Sequence, residues 1–274
     1  MPKSLLLTID LEWYYDGGKK GDGNAADFEK MSLSQRYTSD HGQIEKSTIT
    51  ILKILKKYRQ KITFFIVAEI DKVYPRIVKK IYEDGHEIAV HSYRHSELIG
   101  KKALGLDLKE CLPFQKKYRV IGFRNPRIKV TKDQYSYLKK FLYKYDSSVY
   151  GTSKFDFCGT KIIPVSILPY VNKEIQKIPS PLNLKLFKQA VPFGSGMFVG
   201  SLQKIGKLFI DAYHKRYCQP PCIFLHSWQI EQPNYHKGYL LRNPFMFPYC
   251  IECKDLLECF CQKYKLLRIK DYLS

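Results

Sequence analysis

The sequence predicts an α/β fold, a closed or partly closed barrel in which parallel strands alternate with helical crossovers. Short apolar runs alternate along the chain with longer segments whose apolar residues recur at helical spacing. The runs are continuous rather than alternating with polar residues, as strands covered on both faces require. Polar residues of the types used in catalysis stand at or just beyond the C-terminal ends of these runs, where parallel barrels build their sites. Residues 1–274 read as one domain without internal repeat or clear linker.

LLLTIDL, residues 5–11, is the first strand. Residues 14–42, opening YYDGGKKGDGNAADF, are Gly- and Asp-rich and read as a loop over the rim, with His41 in it. Over 43–60, Ile44, Ile51, Leu52, Leu55 and Tyr58 recur near helical spacing with charges opposite. ITFFIVA is a second buried strand, YPRIVKKIYEDG a helix closed by Gly85, and HEIAV a third strand. RVIGF reads as a further strand, and QYSYLKKFLYKY as a helix leading to DSSVYG. Residues 151–200 are less regular, and Gly194-Ser195-Gly196 reads as a turn. CIFLHSW is a strand, IECKDLLECFCQKY a helix, and KLLRIKDYL a last short strand or turn.

Composition bounds the function. Hydrophobic residues make up 45% of the chain, enough for a sizeable core. No run approaches the ~18 apolar residues of a membrane span, and no leader-like segment opens the sequence, so a cytoplasmic protein is expected. The eight cysteines are then expected to be reduced. Cys218/Cys222 and Cys250/Cys253 superficially suggest a zinc site, but Cys222 opens a strand and Cys253 and Cys259 fall in a helix. Thiols packed as small hydrophobes are the preferred reading. A net charge of +20 allows nucleic acid, an anionic membrane surface or a polyanionic substrate as partner. The lysines are spread along the chain rather than gathered in an arm, so nucleic acid is not favoured.

The segment GHEIAVHSYRH, residues 85–95, holds three of the seven histidines. His91 and His95 are four apart, a spacing that suits a shared metal, whereas His86 precedes an apolar strand and reads as structural. Asp10 and Glu12 end or follow the first strand, Arg124 follows RVIGF, Asp146 follows a helix and His226 ends CIFLH. Singly, each has a plain alternative: a strand-end cap for Asp10, a surface arginine beside a turn for Arg124, a cap of the turn DSS for Asp146, a core histidine for His226. Together they converge on one rim.

These stretches, in order, resemble the motifs of the polysaccharide deacetylases of NodB-homology type, carbohydrate esterase family four. TIDLEW is similar to the first motif, TFFIVAEI to the family's TFF strand, GHEIAVHSYRH to the second motif, GFRNP to the third, YKYDSSVYG to the fourth and FLHSW to the fifth. The closest likeness is to the subgroup with Asp-x-Glu in the first motif. The resemblance implies a distorted, NodB-like (β/α) barrel and a hydrolase that removes an N-acetyl group from a sugar. It implies a divalent metal, zinc first, held by Glu12, His91 and His95, with water activated by Asp10 as base and His226 as acid. Arg124 would hold Asp10, Asp146 would orient His226, and Leu225 and Trp228 would wall a small acetyl pocket, with Pro126 on the substrate side. One departure stands out: Leu11 occupies the place of a second adjacent aspartate. Side chains alternate along a strand, so Glu12 returns to the face of Asp10 and can take the ligand's place. The expected substrate is a sugar of a surface glycan, a glycolipid or its precursor, phosphate-bearing or lipid-linked, met at the inner membrane face. The competing readings are a hydrolase of other C–N bonds, formamides or cyclic amides, and an inactive carbohydrate-binding protein.

Overall fold

The apolar runs become the strands of one nine-stranded sheet. The structure, a computed structural model, describes residues 3–14, 31–96, 98, 100–175, 184–235 and 238–274. Its strands are β1 (Ser4–Leu11), β2 (Thr63–Ile66), β3 (Glu87–Val90), β4 (Gly122–Phe123), β5 (Tyr145–Asp146), β6 (Phe155–Phe157), β7 (Thr160–Ile162), β8 (Cys222–His226) and β9 (Lys265–Leu266). Their order is β8-β1-β2-β3-β4-β5-β7-β6, with β9 against the start of β1. Every pairing is parallel except the β6–β7 hairpin. The register sets Asp10 of β1 directly opposite His226 of β8.

No ladder joins β7 to β8 among the described residues, so the barrel is partly closed. Single hydrogen bonds bridge the gap. Cys222 N donates to Ser166 Oγ at 2.8 Å, and Phe224 N to Gly194 O at 2.9 Å. A Cβ on Gly194 would sit 2.6 Å from Cys222 O, so only glycine lets the backbones meet there. Ser195 then caps the helix that follows, as the turn reading of this tripeptide requires.

Alternation sorts each strand into two faces. Leu7, Ile9, Leu11, Phe64, Ile66, Val90, Ile223 and Leu225 join the main apolar cluster with the surrounding helices. The helices are α1 (Leu33–Asp40), α2 (Gln43–Lys57), α3 (Pro75–Glu83), α4 (Gly100–Tyr118), α5 (Tyr135–Lys140), α6 (Gly196–Leu202), α7 (Gly206–Tyr217), α8 (Lys254–Lys263) and α9 (Ile269–Leu273), of which α2 to α8 contribute to that cluster. The opposite face lines the barrel interior. Leu6, Phe65, Ala89, Tyr145, Ile163 and Cys222 fill its floor, with Ile269 of α9 packed into them. α3 opens with Pro75, where no N–H is needed, and is followed by Gly85 at φ +82°.

Four expectations change. α1 occupies part of the segment read as loop; of the rest of 14–42, residues 15–30 lie outside the described residues. α4 is absent from the sequence reading, although its buried Leu104, Leu108, Cys111, Gln115 and Tyr118 recur at helical spacing. The helix expected over 134–145 ends at Lys140; Leu142 turns at φ 63°, and Tyr145–Asp146 enters the sheet. KLLRIKDYL is a short strand followed by α9. All eight cysteines are free thiols. Among the described residues, the one His/Cys/Asp/Glu group with metal-holding geometry is Glu12, His91 and His95, so the cysteines form no such cluster. Among the described residues, no helix is long and apolar enough to cross a membrane.

Candidate metal and acid–base site

β1 carries Asp10 on its inward face and ends one residue later, bringing Glu12 round to the same side. His91 follows Val90 at the end of β3, and the chain then turns through positive φ at Ser92 and His95. Two groups from outside the turn, both missed by sequence reasoning, help to hold it. Asp107 of α4 accepts the Tyr93 N–H at 2.9 and 3.1 Å. Burial pushes its carboxyl up to about 7, against the lowering effect of that N–H. Ser92 Oγ accepts from His95 N at 2.8 Å. Buried Glu69 takes Trp13 Nε1 at 2.9 Å, the Arg36 guanidinium of α1, and Arg94 Nε at 3.5 Å, tying the exit of β1 to the histidine turn. Their partners are distant in sequence, so only the helical spacing of α4 signalled Asp107, and nothing local signalled Glu69.

Three ligand atoms meet at one point. Glu12 Oε2 lies 2.9 Å from His91 Nε2 and 2.7 Å from His95 Nε2. All three side chains are buried. His91 Nδ1 is 2.8 Å from the carbonyl oxygen of Arg124. A carbonyl can only accept, so Nδ1 carries the proton, and Nε2 of a neutral ring turns its lone pair toward Glu12. A backbone carbonyl behind a histidine is the usual support for a metal-ligating ring. Despite the short separations, Glu12 Oε2 makes no hydrogen bond of acceptable geometry. Two ring nitrogens and a carboxylate oxygen meeting in a buried pocket fit a divalent cation, and two imidazoles with one carboxylate match a catalytic zinc set that keeps a position open. Burial alone would raise the Glu12 carboxyl, yet His95, with His91 and His226, holds it well below the usual carboxylate range. Burial opposes a charge on His91, but Asp10 and Glu12 outweigh it and raise its pKa.

Beside this cluster, Arg124 Nη1 donates to Asp10 Oδ1 at 2.6 Å, and Asp10 Oδ2 faces His91 Nε2 at 4.0 Å. Arg124 is wholly buried. It also donates to Thr8 Oγ1, Ser147 O and Ser147 Oγ, and lies 3.9 Å over the Phe65 ring. His226 Nε2 points at Glu12 Oε1, 3.5 Å away. Trp228 stacks on the His226 ring at 4.4 Å and 10°, and Tyr249 meets it edge-on at 5.1 Å. Burial lowers the His226 pKa, while Glu12 and Asp10 oppose that.

The structure does not bring every expected residue to the site. Asp146 does not orient His226. Its carboxylate is taken up by Ser148 N and Oγ and by Tyr135 OH, so it caps its own turn, and burial raises its pKa to about 6. Gln229 Oε1 meets His226 Nδ1 instead, at 3.2 Å. Leu225 does not wall a pocket beside His226. It precedes His226 on β8, so it points to the opposite face and joins the sheet–helix core. Pro126 is buried in the short turn Pro126–Ile128 just after Arg124. His86 is structural: Ile62 N donates to its Nδ1 at 3.3 Å, and burial pulls its pKa down to about 4.

Comparison with known proteins places the chain near one family. The polysaccharide deacetylase family model matches residues 35–138. The chain is 36% identical over 66 residues to the peptidoglycan-N-acetylmuramic acid deacetylase PdaA of Bacillus subtilis, covering 24% of this chain and 25% of that protein. It is 41% identical over 61 residues to a peptidoglycan-N-acetylglucosamine deacetylase of Bacillus cereus, covering 22% of each. The matched stretch spans about a quarter of these relatives' length. The crystal structure of a Mycobacterium smegmatis protein classed by its name with the polysaccharide deacetylases superposes with a TM-score of 0.58 at 15% identity, covering 97% of this chain and 92% of that one. The resemblance to the NodB-type polysaccharide deacetylases is thus borne out, as is the distorted barrel.

Proposed function

We propose that this chain, a relative of the polysaccharide deacetylases, is a metal-dependent hydrolase that removes the N-acetyl group of a sugar. The observation that carries this reading is the meeting of Glu12, His91 and His95, with ligand atoms within 4.8 Å of one another, between the Asp10–Arg124 pair and His226. Glu12, His91 and His95 would hold a divalent cation, zinc first given their nitrogen and oxygen donors. When bound, it supplies Lewis acidity toward the acyl oxygen and the water. Arg124 occupies Asp10 Oδ1 and leaves Oδ2 on the histidine side, where Asp10 takes the proton of the attacking water. His226, once charged by a second proton on Nε2, gives that proton to the departing nitrogen while Asp10 keeps the proton of the water, so water and amide become acetate and amine; release of the Asp10 proton and uptake of one at His226 Nε2 reset the pair. Trp228 and Tyr249 enclose His226 and keep bulk water from that transfer.

The relatives are named for peptidoglycan sugars; for this chain the class proposed is a sugar of a surface glycan, a glycolipid or its precursor. A lipid-linked or phosphate-bearing substrate met at an anionic membrane surface is favoured by two features. The segment that carries Tyr249 to His226 also exposes Leu241 (88%) and Phe247 (59%), and the chain is strongly basic.

Metal content of untagged protein, beside a His91→Ala/His95→Ala variant, tests the reading together with acetate release from N-acetylated sugars. About one zinc per chain, lost in the variant, is expected. A chain that stays metal-free after zinc addition, or that holds its zinc equally well without the two histidines, overturns it.

A further inference from the structure

Resting on that reading, we propose that Gln229 is a positioning residue for His226: its amide oxygen holds the ring with the proton on Nδ1 and so presents Nε2 to the site. Gln229 is wholly buried at the end of the short turn Ser227–Gln229 that follows β8. Both ends of its amide are committed to backbone groups of fixed chemistry. Nε2 donates to Gly196 O at 3.1 Å, and Oε1 accepts from His226 N at 3.0 Å. Reversing the amide would face N–H to N–H at His226 and oxygen to oxygen at Gly196, so these partners fix which end is which. The same Oε1 lies 3.2 Å from His226 Nδ1. A carbonyl oxygen has no proton to give, so the hydrogen on that contact belongs to Nδ1. Nε2 is then the nitrogen that exchanges a proton with substrate.

The surroundings keep this arrangement in place. The Gln229 carbonyl accepts Cys253 N at 2.6 Å, pinning the turn to the start of α8. Trp228 lies flat against the ring, leaving it little freedom to flip. A Cβ at Gly196 would come within 3.1 Å of Gln229 Oε1 and 3.2 Å of His226 Nδ1, so the glycine keeps the pair from being crowded. The amide orients the ring without adding a negative charge behind it. The carboxylate that might have done so, Asp146, is spent on Ser148 and Tyr135.

The test is a two-bond 1H–15N correlation spectrum of the intact, zinc-loaded protein labelled with 15N-histidine, with the His226 signal identified by its loss in His226→Gln. The expected pattern is the Nδ1–H tautomer in the native chain. Gln229→Leu should broaden or mix the tautomers, and Gln229→Glu, which keeps an acceptor, should restore Nδ1–H. On an N-acetylated sugar, Gln229→Leu should lower kcat by about tenfold to a hundredfold while KM stays within about threefold, and Gln229→Glu should recover part of the loss. An Nε2–H ring in the native chain overturns the proposal, as does an unchanged tautomer in Gln229→Leu. The spectrum needs no substrate. A native Nδ1–H signal in a protein inert toward every N-acyl sugar would therefore support the Gln229–His226 pairing and overturn the function on which it rests.

Discussion

Replacing Arg124 with Met should destabilise the protein more than any loss of contact area would suggest, and replacing Asp10 as well should give part of it back. The two side chains are 0% and 3% exposed and meet at 2.6 Å. Removing one partner of a buried ion pair typically costs about 3–5 kcal/mol, because the other charge stays buried without compensation. Arg124 also serves Thr8 Oγ1, Ser147 O and Ser147 Oγ, each worth about 1 kcal/mol net. Met keeps much of the volume over Phe65, so the expected loss is electrostatic and sits near about 5 kcal/mol. Asp10→Asn in the Arg124→Met background removes the stranded charge. The double variant should then be more stable than Arg124→Met alone by about 2 kcal/mol, a departure from additivity of the kind that contacting residues show. Urea unfolding at neutral pH, compared through midpoints at constant slope, measures all three differences. A loss below about 2 kcal/mol for Arg124→Met, or a double variant less stable than that single one, would refute the reasoning.

Two further outcomes follow from other parts of the structure. Burial raises the Asp107 carboxyl from its ordinary 3.8 to about 7, so the folded state binds this proton more tightly than the unfolded chain. The stability this proton confers is present below 3.8 and lost as pH rises through about 7, an effect on the order of a few kcal/mol. Asp107→Asn cannot titrate, and its melting temperature, compared with the native chain's across that window, should fall less as pH rises; parallel curves would contradict this. At the rim, Leu241→Ser/Phe247→Ser should reduce sedimentation with vesicles containing anionic lipid by about tenfold or more, two side chains being withdrawn from the bilayer. Equal sedimentation of the native and substituted proteins would remove the membrane from the proposed function.

Much of the barrel is legible because its central strands are covered on both faces. LLLTIDL, ITFFIVA and CIFLH have no polar interruption apart from a threonine in each of the first two, Asp10 next to the end of the first and His226 at the end of the third, so run and site announce each other. The helix Gly100–Tyr118 is harder to see because Gly105 and Pro113 interrupt its pattern. Gly105 is required by packing, since a Cβ there would lie 2.6 Å from the Tyr137 ring of α5. That reason is tertiary and leaves no local trace. Asp107 and Glu69 follow the same logic, holding the histidine turn from elements that the chain order does not place beside it.

The two misplaced residues are different, because local rules were sufficient for both. Alternation along β1 correctly returns Glu12 to the face of Asp10, and the identical rule on β8 sends Leu225 away from the face of His226. A residue that walls the site must therefore sit at odd spacing from Leu225, as Trp228 does, three positions on in the turn that follows the strand. Asp146 is followed by two serines, and an aspartate readily accepts the backbone N–H two residues on. Ser148 supplies that N–H at 3.0 Å, so the carboxylate is satisfied within its own turn before any distant histidine can compete. The task of holding His226 then falls to Gln229, three positions beyond it in the turn after β8, where the His226 backbone N–H and ring nitrogen share one acceptor. Only an uncharged side chain with both a donor and an acceptor satisfies Gly196 O and His226 together, which is why that position is a glutamine and not a carboxylate.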